Sequence, residues 1–144
     1  GLSIKEEKLC LFAEAFESVA RDCLAAEDLL PCLDIDAQLS FAAIGFPLIR
    51  ELESLKPFGV GNPEPLFMTR EVEVCERKVF SAGARFQFRH GGRLIGGVAF
   101  GAGEDFPGAP GTRIDVVYRL SENEWNGTST VELKIVDARP AAAV

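Results

Sequence analysis

The chain has one histidine, one tryptophan, one tyrosine and one methionine in 144 residues, and its four cysteines form no Cys-x-x-Cys pair. A single histidine, His90, excludes a His-rich metal centre or a complete Asp-His-His cluster made by this chain alone. Cys10, Cys23, Cys32 and Cys75 lack zinc-knuckle spacing. Free, buried thiols in a cytoplasmic protein are the expectation. No apolar run approaches the length of a bilayer span and no leader pattern opens the chain, so no membrane partner is expected. The opening residues "GLSIKEE" read as the edge of a helix and suggest a fragment of a longer polypeptide.

Acid is missing from one long stretch. The net charge of −7 argues at first against a polyanionic partner. Residues 1–65 hold 5 basic and 12 acidic side chains, whereas residues 66–144 hold 10 of each. Between Arg77 and Gly103 there is no Asp or Glu, but Arg77, Lys78, Arg85, Arg89 and Arg93 are all present. Such segregation permits a local cationic face on an acidic molecule.

Ser3 and Glu6 have capping-box spacing, and Leu9, Phe12, Phe16, Val19 and Cys23 recur as one apolar stripe. Together they predict a helix over residues 4–26. Pro31 interrupts it, and "CLDID" and "AQLSFAAI" read as short extended pieces. Asp34 and Asp36 alternate there as the wet face of a strand, which is the commoner reading than a metal pair. Pro47 suits the first turn of a second helix, with Leu48, Ile49, Leu52 and Leu55 on its apolar side. The stretch "LKPFGVGNPEPLF", Leu55 to Phe67, then holds three prolines and two glycines. A phosphate loop passes from strand into helix and offers free N–H groups. Here the order is reversed and the prolines have no N–H. The stretch reads as a stiff connector, residues 57–65.

Beyond it the period changes to two. "LFMTREVEVCERKVF", "ARFQFRH", "RLIGGVAF", "TRIDVVYRL" and "STVELKIVDA" are five strand candidates, with a longer excursion after the third. That spacing predicts a small barrel of the OB type, with a five-stranded sandwich as the other option. Asn126-Gly127 is a hairpin signal. In "ARFQFRH", Phe86 and Phe88 would fill the barrel and Arg85, Gln87 and Arg89 would line up outside, where arginines meet phosphates and stack on bases. A merely solvated strand face is the competing reading. Gly96 and Gly97 either admit a ligand or let the barrel curl. Trp125 either stacks a base or caps the barrel end. Tyr118 alternates with Ile114, Val116 and Leu120 and should face inward, leaving Arg119 outside.

The connector, the strand "GVAFG" and the run "IDVVYRLSENEWNGTSTVELKIVDARP" together resemble the C-terminal region of the RecJ family of single-strand-specific exonucleases. The likeness covers nearly the whole chain. It implies a mixed α+β fragment: residues 1–56 as the end of a DHHA1-like domain, 57–65 as connector, and 66–144 as a five-stranded OB-fold domain. It further implies that Mn²⁺ or Mg²⁺ belongs to a DHH domain upstream of Gly1, so no catalytic or metal residue and no cofactor is assigned here. Single-stranded DNA, the DHH and DHHA1 domains, and single-strand-binding protein are the implied partners. The DNA-binding candidates are Arg77, Lys78, Arg85, Gln87, Arg89, Arg93, Arg119 and Trp125. The chain departs from the family pattern at Gly83-Ala84-Arg85 and at Phe80, where His-Leu-Lys and a glycine are usual. Two other functions compete: a protein-docking OB module without nucleic-acid contact, and an OB barrel for oligosaccharide.

Overall fold

A computed structural model of the chain describes residues 1–103, 105–125 and 127–142, and of Trp125 the backbone alone. It divides into two compact units, Gly1–Leu33 and Asp34–Val144. In the first, a 3-10 turn at Glu6–Lys8 runs into helix α1, Leu9–Cys23. The turn is capped by backbone at Lys5, without the side-chain bond expected from Ser3 and Glu6. No residue of α1 is buried, and Leu9, Phe16 and Val19 stand exposed. Three of the four cysteines lie in this unit and are exposed, so the expectation of buried thiols fails for them. The apolar stripe is present, but nothing within the unit covers it.

The second unit begins with strand β1 (Ala37–Gln38), a 3-10 turn at Phe41–Ala43 and helix α2 (Phe46–Glu53), which has proline in its first turn as predicted. Five longer strands follow: β2 (Phe67–Phe80), β3 (Gly83–His90), β4 (Arg93–Phe100), β5 (Arg113–Trp125) and β6 (Thr128–Pro140). Their order is β2-β3-β4-β6-β5, and β5 pairs again with β2, which closes the barrel. The contact between β4 and β6 is parallel and the rest of the barrel is antiparallel. This is the closed five-stranded OB arrangement; the sandwich option is excluded by the β2–β5 closure.

Alternation builds the interior. Val72 and Val74 from β2, Phe86 and Phe88 from β3, Ile95 from β4, and Leu133 and Ile135 from β6 meet in one core. Phe86 and Phe88 stack with centroids 5.2 Å apart. Gly97 faces inward, and an added Cβ there would lie 2.9 Å from the Phe88 ring, so this glycine serves packing. Phe41, Ile44 and Ile49 join the same core. The compact units therefore divide at residue 33, ahead of the boundary expected at 56, because residues 34–56 pack onto the barrel. Phe41 is held at both ends: its N–H donates to His90 Nδ1 (3.4 Å) and its carbonyl accepts from Arg93 Nη1 (2.9 Å).

Strand β2 is long enough to serve two neighbours because two irregularities bend it. One lies between Thr69 and Val72, where Glu71 adopts φ 54° and its N–H donates to the buried carboxylate of Asp115 (3.1 Å). Arg139 Nε lies 3.1 Å from the other oxygen of that carboxylate. The second lies between Val74 and Glu76 and makes Cys75 the extra residue.

Tyr118 faces inward as expected and is fully buried. The Thr69 hydroxyl donates to the Leu39 carbonyl (2.8 Å), so its one hydrogen is used, and the Tyr118 hydroxyl must donate to Thr69 Oγ1 across 2.7 Å. Burial pushes the phenol up to about 12. Because the folded-state value lies above the unfolded one, this stabilisation is complete below pH 10 and is lost as pH rises towards 12. The loss should amount to about 2–3 kcal/mol. As this is the only tyrosine, phenolate absorbance reads it directly. We expect a midpoint close to 12 in the folded protein, and a shallower alkaline loss of stability in Tyr118→Phe; a midpoint at the ordinary tyrosine value would contradict the burial argument.

Candidate nucleic-acid interface

The outer surface of the barrel is organised in rows that run across the strands. Arg85 on β3 lies opposite Lys78 on β2 and Val98 on β4. Val98 lies beside Lys134 on β6, and Lys134 lies opposite Arg119 on β5. Leu133 and Ile135 point into the core, so Lys134 between them points out. One row around the barrel thus carries Lys78, Arg85, Lys134 and Arg119, and the first three are exposed without a hydrogen bond or ion pair among the described residues.

The row beside it, towards the β2–β3 turn, is aromatic. Phe80 and Phe100 both lie opposite Gly83. The two rings meet edge to face, centroids 6.4 Å apart. Phe100 is 68% exposed and Phe80 36%. An exposed ring of that kind is a surface on which an unpaired base can stack.

The row on the other side is acidic and polar: Glu76, Gln87, Gly96 and Glu132. A Cβ on Gly96 would lie 3.8 Å from Gln87 Oε1, so the Gln87 amide reaches over this low point. The third row pairs Glu73 with Arg89, whose Nη1 is 3.4 Å from the carboxylate.

Arg85, Gln87 and Arg89 do share the outer face of β3, as the alternation predicts. They do not form one cationic track, since Arg89 is partnered by Glu73 and an acidic row separates it from Arg85. Arg77 is placed differently. Its guanidinium donates to the carbonyls of Phe106 (2.9 Å) and Gly103 (2.8 Å) and lies 5.7 Å over the Phe86 ring. The irregularity at Cys75 shifts the alternation, turning Arg77 towards the barrel end and Lys78 outward. Arg93 holds Phe41, and Arg119 faces Glu64 of the connector across 3.4 Å. The Trp125 side chain and Asn126 lie outside the described residues.

Sequence reasoning missed Lys134, Phe80 and Phe100. The first was legible in "ELKIV", where flanking Leu133 and Ile135 point inward. The phenylalanines were marked by position, each ending a strand immediately before a small-residue turn, "FSAG" and "FGAG". Only the register shows that they meet.

The model of the RecJ OB domain matches residues 35–137. The chain is 28% identical over 142 residues to the single-stranded-DNA-specific exonuclease RecJ of Bacillus subtilis, covering 96% of this chain and 18% of that protein. It is 35% identical over 97 residues to the protein of the same name from Thermus thermophilus, covering 67% and 14%. The crystal structure of Thermus thermophilus RecJ in complex with Mn²⁺ is similar over the whole chain, with a TM-score of 0.76 at 29% identity, and this covers 21% of that chain. A Mg²⁺ complex from the same source gives 0.75 at 28% identity, covering 98% and 21%. The chain spans less than a fifth of the length of these two curated relatives.

Proposed function

This chain belongs to the RecJ OB domain family, and on that premise we propose that it is the C-terminal part of a 5′→3′ single-stranded-DNA exonuclease whose barrel holds the DNA strand. Residues 1–56 would close a DHHA1-like domain, 57–65 connect it, and 66–144 form the binding module. Among the described residues no group of three His, Cys, Asp or Glu could hold a metal ion. In this reading, hydrolysis assisted by Mn²⁺ or Mg²⁺ would belong to a DHH part of the intact protein. A cytoplasmic location is part of this proposal, since the proposed substrate is DNA. No helix among the described residues is long and apolar enough to cross a membrane.

The observation that carries the reading is the adjacency of an exposed cationic row and an exposed aromatic pair: Lys78 and Arg85 one row from Phe80 and Phe100. Cations hold phosphates without reading sequence, and rings accept any base face. A strand crossing the row would also reach Lys134. With three phosphate contacts, log affinity should fall with log salt at a slope of about −2, or roughly 20-fold between 50 and 200 mM. Phe100→Ala should cost about 1–3 kcal/mol of oligonucleotide binding while leaving that slope unchanged. Fluorescence anisotropy with a labelled oligonucleotide reads both quantities. A salt-independent affinity would remove the strand-binding reading.

A second reading, docking of protein, including single-strand-binding protein, is favoured by a different surface. A cleft of about 500 Å³ beside β1 is lined by Arg70, Glu71, His90, Asp115 and Arg139, with opposite charges in balance. Mixed charge without excess suits a polar protein surface better than a polyanion. Arg70→Ala with Arg139→Ala should then weaken a protein partner and spare DNA.

A further inference from the structure

The rows flanking the cations differ in kind, and the difference bears on which nucleic acid can lie between them. Two residues along a strand are about 7 Å apart, so Glu76 stands one such step from Lys78 and Glu132 one step from Lys134, with Gln87 at the same place beside Arg85. On the opposite side stand Phe80 and Phe100, which carry no charge. We propose that Glu76 and Glu132 form an acidic fence that makes this face select single strands over duplex DNA, a role that rests on the reading of the cationic row as a DNA contact.

A duplex whose one strand follows the cations must put its second phosphate chain to one side. The minor groove is only about 6 Å wide, so that chain falls over the acidic row, where like charges repel it. Turned the other way, the second chain meets Phe80 and Phe100, which offer phosphates nothing and can stack only bases whose faces are free. A single strand avoids both penalties, with its phosphates on the cations and its bases turned onto the rings. Gln87 and Gly96 lie between the two acids on the same row and add no cation that could offset them. Arg89, one row further, is already partnered by Glu73.

The test compares a labelled 12-nucleotide single strand with a 12-base-pair duplex on the 144-residue chain. Glu76→Gln with Glu132→Gln should raise duplex affinity about tenfold and single-strand affinity about threefold, so the preference for single strands shrinks about threefold. Glu76→Gln alone, at an exposed position, should give part of this shift and guards against a folding defect in the double variant. An unchanged ratio of the two affinities overturns the fence. Lys78→Ala with Arg85→Ala, run alongside, separates the two claims. If it weakens single-strand binding while the glutamine variants leave the ratio alone, the fence is wrong and the interface stands. If it leaves binding untouched, the interface and the fence fall together.

Discussion

Lys78→Glu combined with Arg85→Glu is expected to weaken single-strand binding roughly 100-fold at moderate salt, the largest loss available from two surface changes. The two residues are cross-strand neighbours at the end of the cationic row that borders the aromatic pair, and both are exposed. Neither has an ion pair to lose among the described residues, so reversal removes two phosphate contacts and adds two repulsions at little cost to the fold. Each charge-assisted contact supplies about 1.5 kcal/mol, and the salt slope should shrink towards zero along with the affinity. Arg89→Gln is the matched control. Its charge is already offset by Glu73, so the expected change is under about threefold. Equal losses from the two variants would mean that the track runs along β3, and that the cross-strand row has no special role.

That contrast also shows how far the sequence carried. Alternation in "ARFQFRH" put Phe86 and Phe88 inside and the arginines outside, which holds because both faces of β3 follow a strict period of two. The five strands and the inward Tyr118 were legible for the same reason. Arg77 was misplaced because β2 has an extra residue at Cys75, and an irregularity of that kind leaves no mark in a Val-Glu-Val-Cys-Glu run. The exchange of Arg77 for Lys134 at the surface follows from register alone. Register depends on contacts between residues far apart in the chain, such as Val98 with Lys134. Ion pairs that neutralise a candidate are invisible in the same way. Glu64 reaches Arg119 because the connector folds back, with Gly59 and Asn62 bridged and Asn62 Nδ2 donating to the carbonyls of Leu55 and Pro57. The stretch read from sequence as a stiff linker is thus a folded turn within the second unit.

Gly83 ties the site to the stability of the barrel. Its φ is 155°, and a Cβ at this position would lie 2.0 Å from the Ala99 carbonyl oxygen, a contact that only backbone movement can relieve. Gly83→Ala should therefore destabilise the barrel by about 3 kcal/mol, from overpacking and backbone strain together. At this chain length that is roughly a 10 °C fall in Tm by calorimetry. Gly91→Ala is the control, since Gly91 has φ 58° with open space around it and should show backbone strain only, about 1 kcal/mol. The two also differ in function. Relieving the Gly83 clash pushes β4 away from β3 where Phe100 leaves the sheet, so the rings of Phe80 and Phe100 can no longer meet. Oligonucleotide affinity at a temperature where both variants are folded should then fall for Gly83→Ala and stay unchanged for Gly91→Ala. A Gly83→Ala protein as stable as its Gly91→Ala counterpart would mean that Ala99 does not lie against this position, and the close approach that brings the two rings together would go with it.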